Sequence, residues 1–329
     1  MGITLAVSFG ISLILTAATG LVLVPALRRM NAGQSIREDG PVWHSKKQGT
    51  PTMGGIMFIT GISLTCLTMG FRAMRAGEYS HLYVLFLALA FGAIGFLDDY
   101  EKLRKKQNLG LTAKHKFAIQ LAVACAFVLV MRFTGNPATG IYIPFFGLTV
   151  QMHPILYYAL AIFVIVGTAN AVNITDGVDG LATGVSIPVA LCYMFISFLW
   201  GLTALGVLAA AIAGALVAFL LFNFHPAKVI MGDTGSMFLG GAICATAFAM
   251  DIPLILVTLG IIYIIETFSD IIQIAYYKLT HGKRIFRMAP IHHHLELCGW
   301  SEYKLFVVFT IVSAVFAVIS YFGVVSRYS

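Results

Sequence analysis

Charge is what this chain has least of. Only 11% of its 329 residues are Asp, Glu, Lys or Arg, where a soluble domain carries about 25%. With 59% hydrophobic residues and a mean hydropathy of +0.89, that deficit excludes a water-soluble fold and places the chain in a membrane. Cysteine is nearly as sparse. The five, Cys66, Cys125, Cys192, Cys244 and Cys298, are odd in number, and none is spaced as CxxC. A disulfide framework and a zinc knuckle are both unsupported. Internal repeats and low-complexity linkers are absent too, so residues 1–329 read as a single integral-membrane domain.

Long apolar runs fill the space that charge leaves. Residues 2–27 carry no charge and exceed the ~20 residues needed to cross a bilayer core. They lack a positive leader segment, so they read as a retained transmembrane helix. Further runs recur near 53–71, 81–97, 115–133, 153–170, 184–200, 203–222, 236–251, 253–277 and 304–325. The pattern predicts an all-α polytopic membrane protein of about ten transmembrane helices, with both termini on one side. The softest boundary is the Trp200-Gly201-Leu202 turn. Of the 21 Lys and Arg, 17 fall in or bordering the loops 28–52, 98–114, 171–183, 223–235 and 278–303. The positive-inside rule makes those loops cytoplasmic and both termini external. Most of this positive charge reads as orientation signal, and no nucleic-acid partner is expected. On the other side, two short alternating runs around Phe146-Gly147 predict a small external β-hairpin near 140–152.

Ten of the fourteen acids lie in the cytoplasmic set. Asp98 and Asp99 stand at the foot of the third helix. Asn173, Asp176 and Asp179 follow one another at a spacing of three, which on a helix puts them on one face. Asp233 sits in "GDTGS", just before the eighth helix, where Thr or Ser caps a helix and its N-terminus favours an anion. Oxygen-only clusters of this kind suit Mg²⁺, which takes one or two carboxylates plus waters and substrate phosphates. Lys46, Lys47, Lys102, Lys114, Lys283, Arg284 and Arg287 add positive charge. Carboxylates ringed by cations describe a phosphoryl-transfer site for a diphosphate substrate. The competing reading is a set of topology charges, turn residues and a helix cap. Glu266 and Asp270, inside the ninth apolar run, are functional suspects or bonds to neighbouring helices. A transporter with a carboxylate and histidine relay is the non-enzyme alternative; it calls for acids near the bilayer midplane.

The stretches "QGTPTMGGIM" (48–57), "GFLDDYEK" (95–102), "GLTAKHK" (110–116), "NITDGVDGLA" (173–182), "MGDTGSMFLGG" (231–241) and "GKRIFRMAPIHHHLELCGW" (282–300) closely resemble the phospho-N-acetylmuramoyl-pentapeptide transferase family. That family lies within the polyprenyl-phosphate N-acetylhexosamine-1-phosphate transferases. The sister branch using UDP-GlcNAc shares the aspartate motifs, and the unbroken "APIHHHLEL" points away from it. The resemblance implies a Mg²⁺-dependent enzyme of the bacterial cell membrane with a cytoplasmic active site. It implies transfer of phospho-MurNAc-pentapeptide from UDP-MurNAc-pentapeptide to undecaprenyl phosphate, giving lipid I and UMP, the first membrane step of peptidoglycan synthesis. Membrane lipids surround the chain, and a homodimer is an expectation of the family. Carried over by motif, Asp98 and Asp99 are the catalytic acidic pair, with Asp98 the candidate base, and Asp233 is the catalytic Mg²⁺ ligand. Asn173, Asp176 and Asp179 line the nucleotide and diphosphate region. Lys47, Thr52, Lys102, Lys114, Gln273, His292, His293 and His294 complete the substrate pocket. Many members carry Phe where this chain has Ile230; if that position stacks on uracil, aliphatic packing replaces the stacking here.

The histidine run invites a transition-metal reading. On a regular helix the three rings point about 100° apart, too far to share one metal. Pro290 suggests a loop or helix start, and Lys283, Arg284 and Arg287 lie upstream. The run therefore reads as imidazole donors to phosphate oxygens.

Overall fold

A computed structural model describes residues 1–30, 49–105, 107, 110–133 and 139–327. Among the described residues the regular structure is helical apart from one small sheet. The helices are α1 (Gly2–Arg29), α2 (Gly55–Met69), α3 (Phe71–Arg75), α4 (Ser80–Lys105), α5 (Ala113–Phe133), α6 (Pro154–Thr175) and α7 (Leu181–Leu199). They continue with α8 (Thr203–Asn223), α9 (Gly232–Ala249), α10 (Ile255–Leu259), α11 (Ile261–Leu279), α12 (Ile291–Leu297) and α13 (Glu302–Val324). Among the described residues, seven helices are long and apolar enough to cross a membrane: α1, α4, α5, α6, α7, α8 and α13. Of the other expected spans, α2 is shorter, and α9 and α11 carry more polar residues.

Helices α8 and α9 form the buried centre. Helix α8 lies against α1 and α7, and α9 against α4 and α6. Both are rich in Ala and Gly, small residues that let helix backbones approach closely where lipid provides no hydrophobic drive. The Trp200-Gly201-Leu202 turn divides α7 from α8 where the sequence placed it. The hairpin is also present, as β1 (Gly140–Ile143) paired antiparallel with β2 (Leu148–Gln151), Ile143 opposite Leu148. Phe145 at its tip donates its backbone N–H to Gly323 O of α13.

Several boundaries differ from the apolar runs. Helix α4 continues two turns past residue 97, so Asp98 and Asp99 lie inside a helix and not at its foot. Its extension carries i,i+4 pairs, Asp98–Lys102 at 2.6 Å and Glu101–Lys105 at 2.8 Å, which keep a charged segment helical. Helix α9 starts at Gly232, so Asp233 is in its first turn. The run 253–277 breaks at Gly260 into α10 and α11. The loop expected over 171–183 contracts to residues 176–180, and the loop expected over 278–303 contains α12.

Candidate active site

One end of the bundle gathers the acids. Asp98 and Asp99 come from α4, and Asp233 comes from the start of α9. Their carboxylate oxygens include a set lying within 4.8 Å of one another. Close contact between the two helices makes this possible. At Gly95 the Asp233 carbonyl lies where any Cβ would stand, so only glycine lets α9 approach one turn above the acid pair. Asp99 is tied to the N-terminus of α9. It accepts from Asp233 N at 3.2 Å, Thr234 N at 2.9 Å and the Thr234 hydroxyl at 2.7 Å. A carboxylate on orphan helix N–H groups is a stabilising cap. Here it comes from a neighbouring helix.

Two ammonium groups bridge the remaining oxygens. Lys102 Nζ is 2.6 Å from Asp98 Oδ2 and 3.1 Å from Asp233 Oδ2. Lys116 Nζ, from α5, is 2.5 Å from the same Asp233 oxygen and 3.7 Å from Asp98 Oδ2. Asp98 Oδ1 accepts from Leu111 N at 2.8 Å. The other Asp233 oxygen accepts from the Asn173 amide at 3.0 Å, and that amide also donates to Ser236 Oγ at 2.8 Å. The segment before α2 closes the wall. Ile230 N donates to Pro51 O at 2.8 Å and Gly54 N to Ile230 O at 2.9 Å, which seats buried Thr52 beside Gly232. A Cβ on Gly232 would lie 2.6 Å from Asp99 Oδ2 and 2.8 Å from Thr52 Oγ1.

This donor set fits a hard divalent cation. It is carboxylate oxygen only, and it already holds two cationic groups, so positive charge is what the geometry receives. A second set of three, Asp179, His225 and Glu302, also brings ligand atoms within 4.8 Å. There His225 Nδ1 is 3.0 Å from Asp179 Oδ2, and Asp179 N donates to Glu302 Oε2 at 3.2 Å. Ala227 N also donates to Asp179, at 3.0 Å. These bonds tie the 176–180 loop, the 224–231 loop and the start of α13 together at the same end of the bundle.

The remaining expected residues divide. Asp176 is the C-cap of α6, between Asn173 and Asp179. The three histidines lie on α12 and take separate partners. His292 Nδ1 meets Glu266 Oε2 at 2.8 Å, and His293 Nδ1 meets Glu296 Oε2 at 2.7 Å. His294 Nδ1 accepts from Arg287 N at 3.1 Å. Gln273 clamps the loop before α12. Its oxygen accepts from Ile285 N and Phe286 N, and its nitrogen donates to Phe286 O. Lys114 is exposed on the first turn of α5, and Lys47 lies outside the described residues. Sequence reasoning passed over Lys116, Thr234, Ser236, His225 and Glu302. For Lys116 the signal was present in "AKHK", where two lysines share the start of an amphipathic helix and only one can face the acids.

This arrangement of acids, lysines and polar loops accompanies clear kinship. The pattern of glycosyl transferase family 4 matches residues 81–251, which run from α4 through α9 and include all three aspartates. The phospho-N-acetylmuramoyl-pentapeptide-transferase signature 1 matches residues 47–59, the segment that carries Thr52. The chain is similar to the phospho-N-acetylmuramoyl-pentapeptide-transferase of Geobacillus thermodenitrificans, 46% identical over 319 residues, covering 96% of this chain and 95% of that one. It is 44% identical to that of Staphylococcus carnosus over 311 residues, 94% of each chain. It is 43% identical to that of Clostridium acetobutylicum over 317 residues, 96% of this chain and 97% of that one. With its signature segment seated against the aspartate centre and its relatives matched nearly end to end, the chain belongs to the phospho-N-acetylmuramoyl-pentapeptide-transferase family.

Proposed function

We propose that this protein transfers phospho-MurNAc-pentapeptide from UDP-MurNAc-pentapeptide to undecaprenyl phosphate, giving lipid I and UMP. The observation that carries the reading is the convergence of Asp98, Asp99 and Asp233 with Lys102 and Lys116 at one end of an apolar bundle. The chain sits in the bacterial cell membrane, with ten spans, both termini external and this end cytoplasmic. The charge asymmetry of the loops supports that orientation.

In the proposed reaction an oxygen of the lipid phosphate attacks the β-phosphorus of the nucleotide sugar. A new P–O bond forms there, the bridging P–O bond breaks, and UMP leaves. Asp233, with Asp98 and Asp99 beside it, would hold the Mg²⁺, which when bound neutralises the diphosphate and the departing UMP. Lys102 and Lys116 place positive charge beside the same oxygens. Asn173 fixes the Asp233 carboxylate. Asp98 is the better base of the pair, because Asp99 is committed to α9. The base has limited work, since a phosphate monoester with a second pKa of about 6 is largely ionised at neutral pH. Lys47, Thr52, Lys114, Asp176, Asp179 and the histidine helix complete the substrate wall.

Purified protein in detergent, given UDP-MurNAc-pentapeptide, undecaprenyl phosphate and Mg²⁺, releases UMP on this reading. No UMP sinks it, and UMP release from UDP-GlcNAc instead moves the chain to the sister branch. A phospho-aspartate trapped without lipid acceptor replaces the single displacement by a two-step route.

A further inference from the structure

Glu266, which the mechanism above leaves unused, forms a buried ionisable pair with His292 of the histidine helix. Glu266, on α11, is 0% exposed and His292, on α12, is 1% exposed. Their contact, Nδ1 to Oε2 at 2.8 Å, satisfies one atom of each. Among the described residues, Glu266 Oε1 and His292 Nε2 have no hydrogen-bond partner. A buried polar atom without a partner costs about 1–3 kcal/mol, and two of them adjoining one pair call for an explanation. The direction of the ring supplies one. Nε2 points at Gly177, and a Cβ added there would overlap it. Gly177 lies in the 176–180 loop, one helical turn beyond Asn173, whose amide holds Asp233. Glycine at 177 leaves the space beside Nε2 that any Cβ would fill.

We propose that Glu266 is a positioning residue: by holding Nδ1 of His292 it presents Nε2, at Gly177, to a diphosphate oxygen of the nucleotide sugar. This rests on the reaction proposed above. A carboxylate on one ring nitrogen sets the ring's orientation and compensates its positive charge when the other nitrogen carries a proton to an anion. The three histidines then differ in kind. His293 meets Glu296 of the same helix and His294 accepts from Arg287 N of the preceding loop, whereas His292 is held by Glu266 of α11.

The test is a double-mutant cycle read by titration calorimetry with UDP at saturating Mg²⁺, alongside UMP release. E266Q keeps the shape of the side chain and removes its charge. H292N keeps a donor at the Nδ1 position toward Glu266 and removes Nε2. Outer partners of metal-bound histidines are worth about 10–100-fold; taking the lower end of that range, E266Q weakens UDP binding about tenfold in the wild-type background and less than twofold in H292N. In turnover, the KM for the nucleotide sugar rises and that for the lipid phosphate stays put. Unchanged UDP affinity in E266Q, or the same loss in both backgrounds, overturns the proposal; a purely structural role gives the latter. If E266Q is not monodisperse, E266D, which keeps the charge and shortens the reach to Nδ1, takes its place in the same cycle, and the same two outcomes decide. If the predicted coupling appears but the wild type releases no UMP, the reaction falls and the anion-positioning pair stands.

Discussion

Replacing Lys116 with methionine removes one of the two ammonium groups from the acid centre while keeping most of the side-chain volume. Three carboxylates and two lysines leave the cluster formally one charge negative, and K116M makes it two. Two unit charges about 4 Å apart interact by about 1 kcal/mol in water and about 4 kcal/mol in a protein-like medium. Lys116 and Asp233 are each 17% exposed at the side chain, so the effect on a bound cation falls between those limits. A factor of ten in affinity corresponds to about 1.4 kcal/mol. K116M is therefore expected to tighten apparent Mg²⁺ affinity by at least about fivefold, because on the proposed mechanism Lys116 and the metal would compete for the same Asp233 oxygen. Turnover moves the other way, falling about 100-fold with the loss of a preorganised positive group. The fold survives, because Asp233 keeps Lys102 at 3.1 Å and Asn173 at 3.0 Å and no buried charge is orphaned. Mg²⁺ titrations of UMP release, with a melting curve in detergent, read all three quantities. K105M is the control: it removes the same charge from a solvent-facing pair with Glu101 and leaves both activity measures within twofold. Equal or weaker Mg²⁺ affinity in K116M refutes the competition argument.

D99N is expected to lose about 1.5–3 kcal/mol of stability, since an amide nitrogen cannot accept from the α9 donors; D98N, by contrast, keeps most of its stability and loses turnover, and equal melting temperatures for the two would show that Asp99 does not brace α9. G95A forces a methyl group into the Asp233 carbonyl and is expected to cost about 1–3 kcal/mol, read as a lower melting temperature with wild-type mass and yield; an unchanged melting temperature would mean the helices are not in contact there. Chelation with EDTA stops UMP release and added Mg²⁺ restores it, while the elution profile stays that of the intact bundle; release that persists in EDTA removes the metal from the mechanism. H292A, H293A and H294A each lower turnover and keep Mg²⁺ dependence, and normal turnover in all three ends the role of the histidine helix.

Seven of the ten expected spans were legible because apolar runs reflect the membrane as solvent, and that signal depends on composition alone. Their ends were not. An apolar run stops at the first charge, but a helix continues while its pairs and caps hold, as α4 does through Asp98–Lys102 and Glu101–Lys105. The opposite error occurs at Gly260, where hydropathy stays high on both sides while the helix breaks. Hydropathy measures what a residue prefers to touch and carries no information on where the backbone turns.

The site divides along the same line. Aspartates at a membrane boundary announce themselves, because burying an unpaired charge is expensive and such residues need a reason to be there. Lysines do not, since 17 Lys and Arg already crowd or border the same loops. Choosing between Lys114 and Lys116 requires the rotational phase of α5. The two stand about 200° apart around a helix axis, so one facing Asp233 means the other faces away, and motif matching selected the exposed one. Gln273 shows a related limit. It was expected to line the substrate pocket, but its carboxamide makes three bonds to the backbone at Ile285 and Phe286. A residue that holds the loop leading into the histidine helix would act on substrate only through that loop, and a motif cannot separate that role from direct contact. Q273A therefore discriminates. Loss of the clamp lowers both melting temperature and turnover, whereas a residue touching only substrate would raise KM at constant melting temperature.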